Sequence, residues 1–173
     1  MKKAIVGNIL LDKIHNSPVV ELKVEEIKRN VYIWIGACEA WALAMAMEHI
    51  EIERPLTHDL ILKTYDIFKY QLVRIVISEI NAGTYYSKVI LEPHADNPSE
   101  GIIEMDCRPS DALVLAVKKN VPIYISSDII VNASVEDTPD YNKDSETNKF
   151  KEFIETFNVE ELKKYLEEKN EDS

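Results

Sequence analysis

Two short stretches of the sequence place an arginine, a proline, a hydroxyl group and an aspartate at the start of a predicted helix. Residues 54–59 read Arg-Pro-Leu-Thr-His-Asp, and residues 108–111 read Arg-Pro-Ser-Asp. Helix N-termini and arginines bind phosphate groups, and carboxylates bind Mg²⁺. The same residue types are also good helix caps, because proline fits the first turn and Ser, Thr or Asp accepts its free N–H groups. The two stretches are therefore candidate phosphate sites, with helix capping as the alternative interpretation.

On the catalytic interpretation, carboxylates would hold Mg²⁺ or Mn²⁺, and the metal would activate a water molecule for attack on phosphorus. The candidate metal ligands are Asp106, Asp111, Asp59 and Glu39. The candidate phosphate ligands are Arg54, Arg108, Ser110 and Thr57. The candidate catalytic residues are Asp59, Asp111 and His58, of which His58 would be the general acid or base. For Glu39 the alternative role is an interaction with the dipole of its own helix.

The elements that carry these side chains follow from the spacing of the apolar residues. The predicted strands are residues 3–14, 17–24, 31–35, 73–77, 85–91, 102–105 and 121–125. The predicted helices are residues 38–50, 57–70 and 109–119. Residues 81–83, Asn-Ala-Gly, predict a hairpin turn. Pro122 indicates that the last strand either lies at a sheet edge or begins at that position.

A shift of 70 positions aligns the strand and helix within residues 33–46 with those within residues 103–116. Ile33 then aligns with Ile103 and Leu43 with Leu113, and small and large apolar residues follow in the same order in both helices. This pattern predicts a duplicated strand–helix unit whose two copies lie on one sheet. The alternative is a chance similarity between two helices rich in alanine and leucine.

The composition is that of one globular domain with a small appendage. Hydrophobic residues make up 46% of the chain and charged residues 29%. No apolar run is long enough to span a membrane, and the N-terminus lacks a signal-peptide pattern, so we expect a cytoplasmic protein without a membrane segment. The two cysteines, Cys38 and Cys107, lack the spacing of a disulfide framework or a zinc site.

The negative charge is concentrated near the C-terminus. The formal net charge is −11, of which residues 1–130 contribute −4 and residues 131–173 contribute −7. We therefore predict a domain over residues 1–130, followed by an acidic linker and a helical hairpin formed by residues 148–157 and 159–169. An acidic chain gains little from counterion release, which disfavours a general nucleic-acid coat protein. The charge is compatible with an enzyme that holds a polyanion locally through a metal and a few arginines.

Three motifs together resemble the bifunctional nuclease domain family. They are Ile-Trp-Ile-Gly-Ala-Cys-Glu-Ala at residues 33–40, Arg-Pro-Leu-Thr-His-Asp-Leu at 54–60 and Asp-Cys-Arg-Pro-Ser-Asp-Ala at 106–112. The resemblance covers roughly residues 1–130 and leaves the acidic segment uncovered. It implies an α+β domain on a wrapped, mainly antiparallel sheet, usually a homodimer, in small bacterial proteins with plant relatives. It also implies a nuclease that acts on both DNA and RNA.

Two functions from different classes follow. The first is a metal-assisted phosphodiesterase that acts on nucleic acid through the residues named above. The second is a non-catalytic dimeric binding or regulatory module, in which the polar stretches are only helix caps and the acidic segment recruits a protein partner. The net charge and the lack of a stringent catalytic motif support the second. Metal-dependent cleavage by highly purified protein separates the two.

Overall fold

A computed structural model describes residues 1–12, 17–50, 52–95 and 101–136. This part of the chain forms eight strands and four helices. The strands are β1 (Lys2–Asp12), β2 (Ser17–Val24), β3 (Arg29–Trp34), β4 (Tyr70–Asn81), β5 (Thr84–Pro93), β6 (Ile103–Cys107), β7 (Ile123–Ile125) and β8 (Ser134–Glu136). The helices are α1 (Ala37–Met47), α2 (Thr57–Ile67), α3 (Pro109–Lys119) and α4 (Ser127–Ala133).

All eight strands belong to one sheet in the order β6-β5-β4-β7-β1-β2-β3-β8. Each neighbouring pair is antiparallel except β4 and β7, which run parallel. The fold is therefore α+β, with one mixed and mostly antiparallel sheet. The predicted turn at residues 81–83 is confirmed: Asn81 pairs with Thr84, and both Ala82 and Gly83 have positive φ angles, as a tight hairpin requires.

The two halves of the sheet share one order of elements, three antiparallel strands followed by a helix. The first half is β1-β2-β3-α1 and the second is β4-β5-β6-α3, with β7 between β4 and β1. The 70-residue shift also aligns all four buried residues of α1 with buried residues of α3. The buried residues Ala40, Leu43, Met45 and Ala46 of α1 correspond to the buried residues Ser110, Leu113, Leu115 and Ala116 of α3. This agreement is what the predicted duplication requires.

The helices α1 and α3 pack against each other and, with α2, against the sheet. The core is built from strand residues, including a continuous buried run in β2, and from the helix residues that face the sheet. Its largest fully buried apolar side chains are Leu22, Leu43, Ile75, Ile77, Leu113, Ile125 and Ile129. The helix α3 lies deepest, since every residue from Ala112 to Ala116 is buried. Packing on this scale fixes the ends of α1, α2 and α3 relative to one another.

Several boundaries differ from the sequence-based expectations. The helix α2 ends at Ile67 and β4 starts at Tyr70, because Lys69 takes a left-handed backbone conformation with φ 61° that cannot continue a helix. Pro122 lies just before β7, which is a central strand, so the prediction of a strand start is right and that of an edge is wrong.

The sheet also extends beyond residue 130. The helix α4 crosses that position, and β8 pairs with β3 as far as Glu136. The predicted helical hairpin at 148–157 and 159–169 lies outside the described residues. Within the described ranges, no helix is long and apolar enough to cross a membrane.

Candidate active site at three helix N-termini

The first turns of α1, α2 and α3 each contribute one polar side chain to a connected cluster. Arg108, the residue just before α3, joins them: its Nη1 donates to Glu39 Oε1 of α1 at 2.8 Å. Its Nε donates to Asp111 Oδ2 at 2.8 Å and its Nη2 to Asp111 Oδ1 at 3.1 Å. His58 Nε2 of α2 lies 3.4 Å from Asp111 Oδ1. We call Glu39, His58, Arg108 and Asp111 the first-turn cluster.

The local sequence explains why these side chains point toward one another. Pro109 occupies the first position of α3 with Arg108 in extended conformation before it, so Asp111 lies in the first turn, three residues after Arg108. At the start of α1, the position of the Glu39 carboxylate depends on a glycine. A Cβ atom on Gly36 would lie 2.2 Å from Glu39 Oε2, so only glycine lets the Glu39 carboxylate fold back over the helix entrance. Three positive helix ends favour the two carboxylates here.

The cluster is partly open to solvent. The side chain of His58 is 12% exposed and that of Asp111 is 26% exposed, whereas that of Arg108 is 65% exposed. Hydrogen bonds to Asp111 and then to Glu39 raise the pKa of the Arg108 guanidinium above its already high value. Three of the five N–H groups of Arg108 are used in the cluster, which leaves two for an incoming anion. The arrangement can hold a phosphate beside an oriented imidazole.

Asp59 points to the other end of α3. Its Oδ2 accepts a hydrogen bond from the Leu56 N–H at 3.0 Å, and its Oδ1 lies 2.8 Å from Lys118 Nζ. Partial burial acts to raise the pKa of the Asp59 carboxyl, but the hydrogen bonds from Lys118 and from the Leu56 N–H outweigh it and lower that pKa below its ordinary value. Asp59 therefore caps its own helix and clamps α2 to the last turn of α3.

The other candidate ligands lie apart from the first-turn cluster. Arg54 and Thr57 are exposed near the start of α2, and Ser110 is buried. Asp106 lies on β6 opposite Lys88 of β5, on the sheet face opposite that of its neighbour Cys107. In the described ranges, no hydrogen bond or ion pair joins Arg54 or Asp106 to the cluster.

The predicted metal ligands are divided among these places. Glu39 and Asp111 both bind Arg108, Asp59 binds Lys118, and Asp106 lies on β6. Among the described residues, no three His, Cys, Asp or Glu side chains are grouped so that they could hold a metal ion. The four carboxylates therefore do not fit a common metal site in this arrangement, and we assign no chemical step to a metal.

The sequence analysis missed the role of Lys118. Lys118 lies in the last turn of α3, where the helix dipole favours a cation whether or not it has a partner. Its pairing with Asp59 joins residues far apart in the chain, so no local pattern signals it. Burial raises the pKa of the Cys107 thiol, which directly precedes Arg108, and raises the pKa of Tyr65 to about 12.

The fold and the cluster together define a small α+β domain with an imidazole, a carboxylate pair and a guanidinium at converging helix ends. The model of the bifunctional nuclease domain matches residues 20–138, and the chain belongs to that family. An uncharacterized protein of Mycobacterium tuberculosis is 29% identical over 170 residues, covering 94% of this chain and 99% of that protein. Bifunctional nuclease 1 of Oryza sativa subsp. japonica is 29% identical over 90 residues, covering 52% of this chain and 27% of the rice protein. The bifunctional nuclease of Oryza minuta matches to the same extent.

Proposed function

We propose that the protein hydrolyses phosphodiester bonds of DNA and RNA at the first-turn cluster. The observation that carries this proposal is the chain of contacts from His58 through Asp111 to Arg108. Such a chain places an acid–base group next to a guanidinium with free N–H donors. The family membership and the names of the rice relatives support the same reaction class.

Each member of the cluster has a distinct role in this proposal. When Asp111 accepts a hydrogen bond from His58 Nε2, the other ring nitrogen, Nδ1, is left to take a proton from water or to return one to the leaving oxygen. Arg108 holds two phosphate oxygens through its remaining N–H groups and stabilises the charge that develops on them. Glu39 positions Arg108 from the opposite side. Because Arg108 binds both carboxylates of the cluster, these roles involve no Mg²⁺ or Mn²⁺, and EDTA tests whether cleavage needs such a metal.

The test is cleavage of fluorogenic DNA and RNA oligonucleotides by wild type and by His58→Ala and Asp111→Asn. We expect each variant to lose about 100-fold or more in rate, which is typical of a lost acid–base or oriented group. His94→Ala and Glu104→Gln, purified identically, are the matched controls and should retain activity. Because contaminating nucleases would act equally in all preparations, unchanged rates in both cluster variants would refute this site.

A dimeric binding or regulatory module is the second candidate function. The observation that favours it is a set of exposed apolar side chains on α2, on β6 and in the residues that adjoin them. They are Leu60, Ile67, Phe68, Ile102, Ile103 and Met105. The strand β6 also ends the described sheet, so its outer backbone groups can pair with a second copy of the chain. We therefore propose a homodimer through this edge; a concentration-independent monomer mass in sedimentation would contradict it.

A further inference from the structure

Two grooves on the surface join next to the Asp59–Lys118 pair. One has a volume of about 450 Å³ and the other of about 860 Å³, and both are lined by His49 and Lys118. We call these two adjoining grooves together the lysine groove, because their lining includes Lys3, Lys63, Lys118 and Lys119. Each part is large enough for one or two nucleotide units but too small for a duplex.

The lysine groove brings several cationic side chains together on a protein whose net charge is −11. Four lysines line it against two carboxylates, Glu53 and Asp59. Lys119 pairs with Asp66 at 3.5 Å and Lys3 with Glu25 at 3.4 Å, and both lysines remain substantially exposed. Within the part of the chain that the structure describes, Lys63 has no ion-pair partner. Exposed ion pairs of this kind are weak, so a phosphate can compete for Lys3 and Lys119, whereas the less exposed Lys118 stays paired with Asp59.

Part of the lining of the lysine groove, which we call its floor, is apolar. Met45, Ile50, Ile52 and Leu62 contribute to it in one groove, and Tyr124 does so in the other. Apolar and aromatic surfaces beside cations suit single-stranded nucleic acid, whose unpaired bases can rest on them while the phosphates contact the lysines. The bases of a duplex are stacked inside the helix and cannot reach such a floor.

The lysine groove and the first-turn cluster lie at opposite ends of α3, and the first turn of α2 contributes a side chain to each. Asp59 lines the groove, whereas the preceding residue, His58, contacts Asp111. We infer that single-stranded nucleic acid lies along the lysine groove, with phosphates on its lysines and bases on its apolar floor, and reaches the cluster past the first turn of α2. This inference rests on the proposed nuclease function for its substrate, and it adds where and in what form that substrate binds.

The test compares two double variants with the same change in charge. Lys63→Gln/Lys119→Gln alters the lysine groove, whereas Lys28→Gln/Lys88→Gln alters lysines that do not line it. Binding of a fluorescein-labelled, phosphorothioate-linked oligo(dT) is followed by anisotropy over a range of NaCl concentrations. We expect the groove variant to bind roughly tenfold more weakly and its salt slope to fall by about 1.4, or about 0.7 for each lost phosphate contact. The control variant should bind like wild type.

Further measurements separate this inference from the proposed function. Hydrolysis of bis(p-nitrophenyl) phosphate, which is too small to need the groove, should be equal in wild type and the groove variant. A groove variant that binds oligo(dT) as tightly as wild type overturns the inference and leaves the cluster intact; this is the result expected if Lys119 only balances the dipole of α3. If the protein binds a hairpin duplex as tightly as it binds oligo(dT), the inferred preference for single strands is wrong. If the groove variant binds oligo(dT) more weakly than wild type but wild type hydrolyses no substrate, the nuclease function is wrong and the binding site in the lysine groove stands.

Discussion

The two arginine–proline stretches are alike in sequence but differ in what their side chains contact. In both, the aspartate is the third residue of a helix, since Asp59 follows the cap residue Leu56 and Asp111 follows the cap residue Arg108. Only in α3 is the arginine itself the cap residue, so Arg108 reaches Asp111 and Glu39. Arg54 lies two residues before its cap and is exposed, and Asp59 pairs with Lys118 instead. The position of the arginine relative to the cap therefore determines the partner of the aspartate. Asp111 binds the arginine before its helix, whereas Asp59 binds a lysine of another helix.

The largest expected effect follows from exchanging the two arginines for alanine, one at a time. Arg108→Ala removes the group that joins Glu39 to Asp111, and we expect the cleavage rate to fall about 100-fold or more. Arg54→Ala should change the rate by less than about threefold, since it joins no residue of the first-turn cluster. Steady-state cleavage of one oligonucleotide by both variants measures the contrast. Equal losses would mean that the two stretches contribute alike to one site.

A smaller effect is expected at the entrance of α1. In Gly36→Ala the new methyl group displaces the Glu39 carboxylate, so the hydrogen bond between Glu39 and Arg108 is lost. We expect about a fivefold loss in rate, or about 1 kcal/mol, because the bond is solvent-exposed. The double variant Gly36→Ala/Glu39→Gln should be no slower than Glu39→Gln alone. Additive losses in this cycle would show that Gly36 acts by some route other than Glu39.

The smallest effect concerns the free energy of unfolding, to which the Asp59–Lys118 pair between α2 and α3 contributes. Asp59→Asn removes the ion pair with Lys118 and weakens the hydrogen bond to the Leu56 N–H, which we expect to cost about 1 kcal/mol at neutral pH. The folded pKa of Asp59 is lowered, so the stability it contributes is complete above the ordinary value of 3.8 and is lost as the pH falls through the folded pKa. Urea unfolding of wild type and variant between pH 2.5 and 6 should therefore converge at the acid end. A gap that widens as the pH falls would contradict this assignment.

The sequence was informative wherever neighbouring residues determine the structure. Alternating apolar residues predicted the main strands, and Pro109 with the apolar run after Asp111 predicted α3. The turn at residues 81–83 also follows from local chemistry, because Gly83 adopts the required left-handed conformation. The short elements α4 and β8 were missed, since three residues of β8 carry too little pattern to be distinguished from a loop.

The candidate site was only partly predictable, for a physical reason. His58, Arg108, Asp111 and Glu39 were all identified from their residue types, and the packing of α1, α2 and α3 brings them together. The placement of Asp59 could not be read from the chain, because helical rotation sends adjacent side chains about 100° apart and so turns His58 and Asp59 to opposite ends of α3. Only the packed helices show which aspartate shares the cluster with His58.

The most direct measurement compares the cleavage rates of Asp111→Asn and Asp59→Asn under identical conditions, with and without EDTA. Our account predicts that Asp111→Asn loses about 100-fold or more in rate, whereas Asp59→Asn loses less than about fivefold, as expected for a side chain that orients a helix. An equal loss in the two variants, or a greater loss in Asp59→Asn, would contradict the assignment of the chemistry to the first-turn cluster.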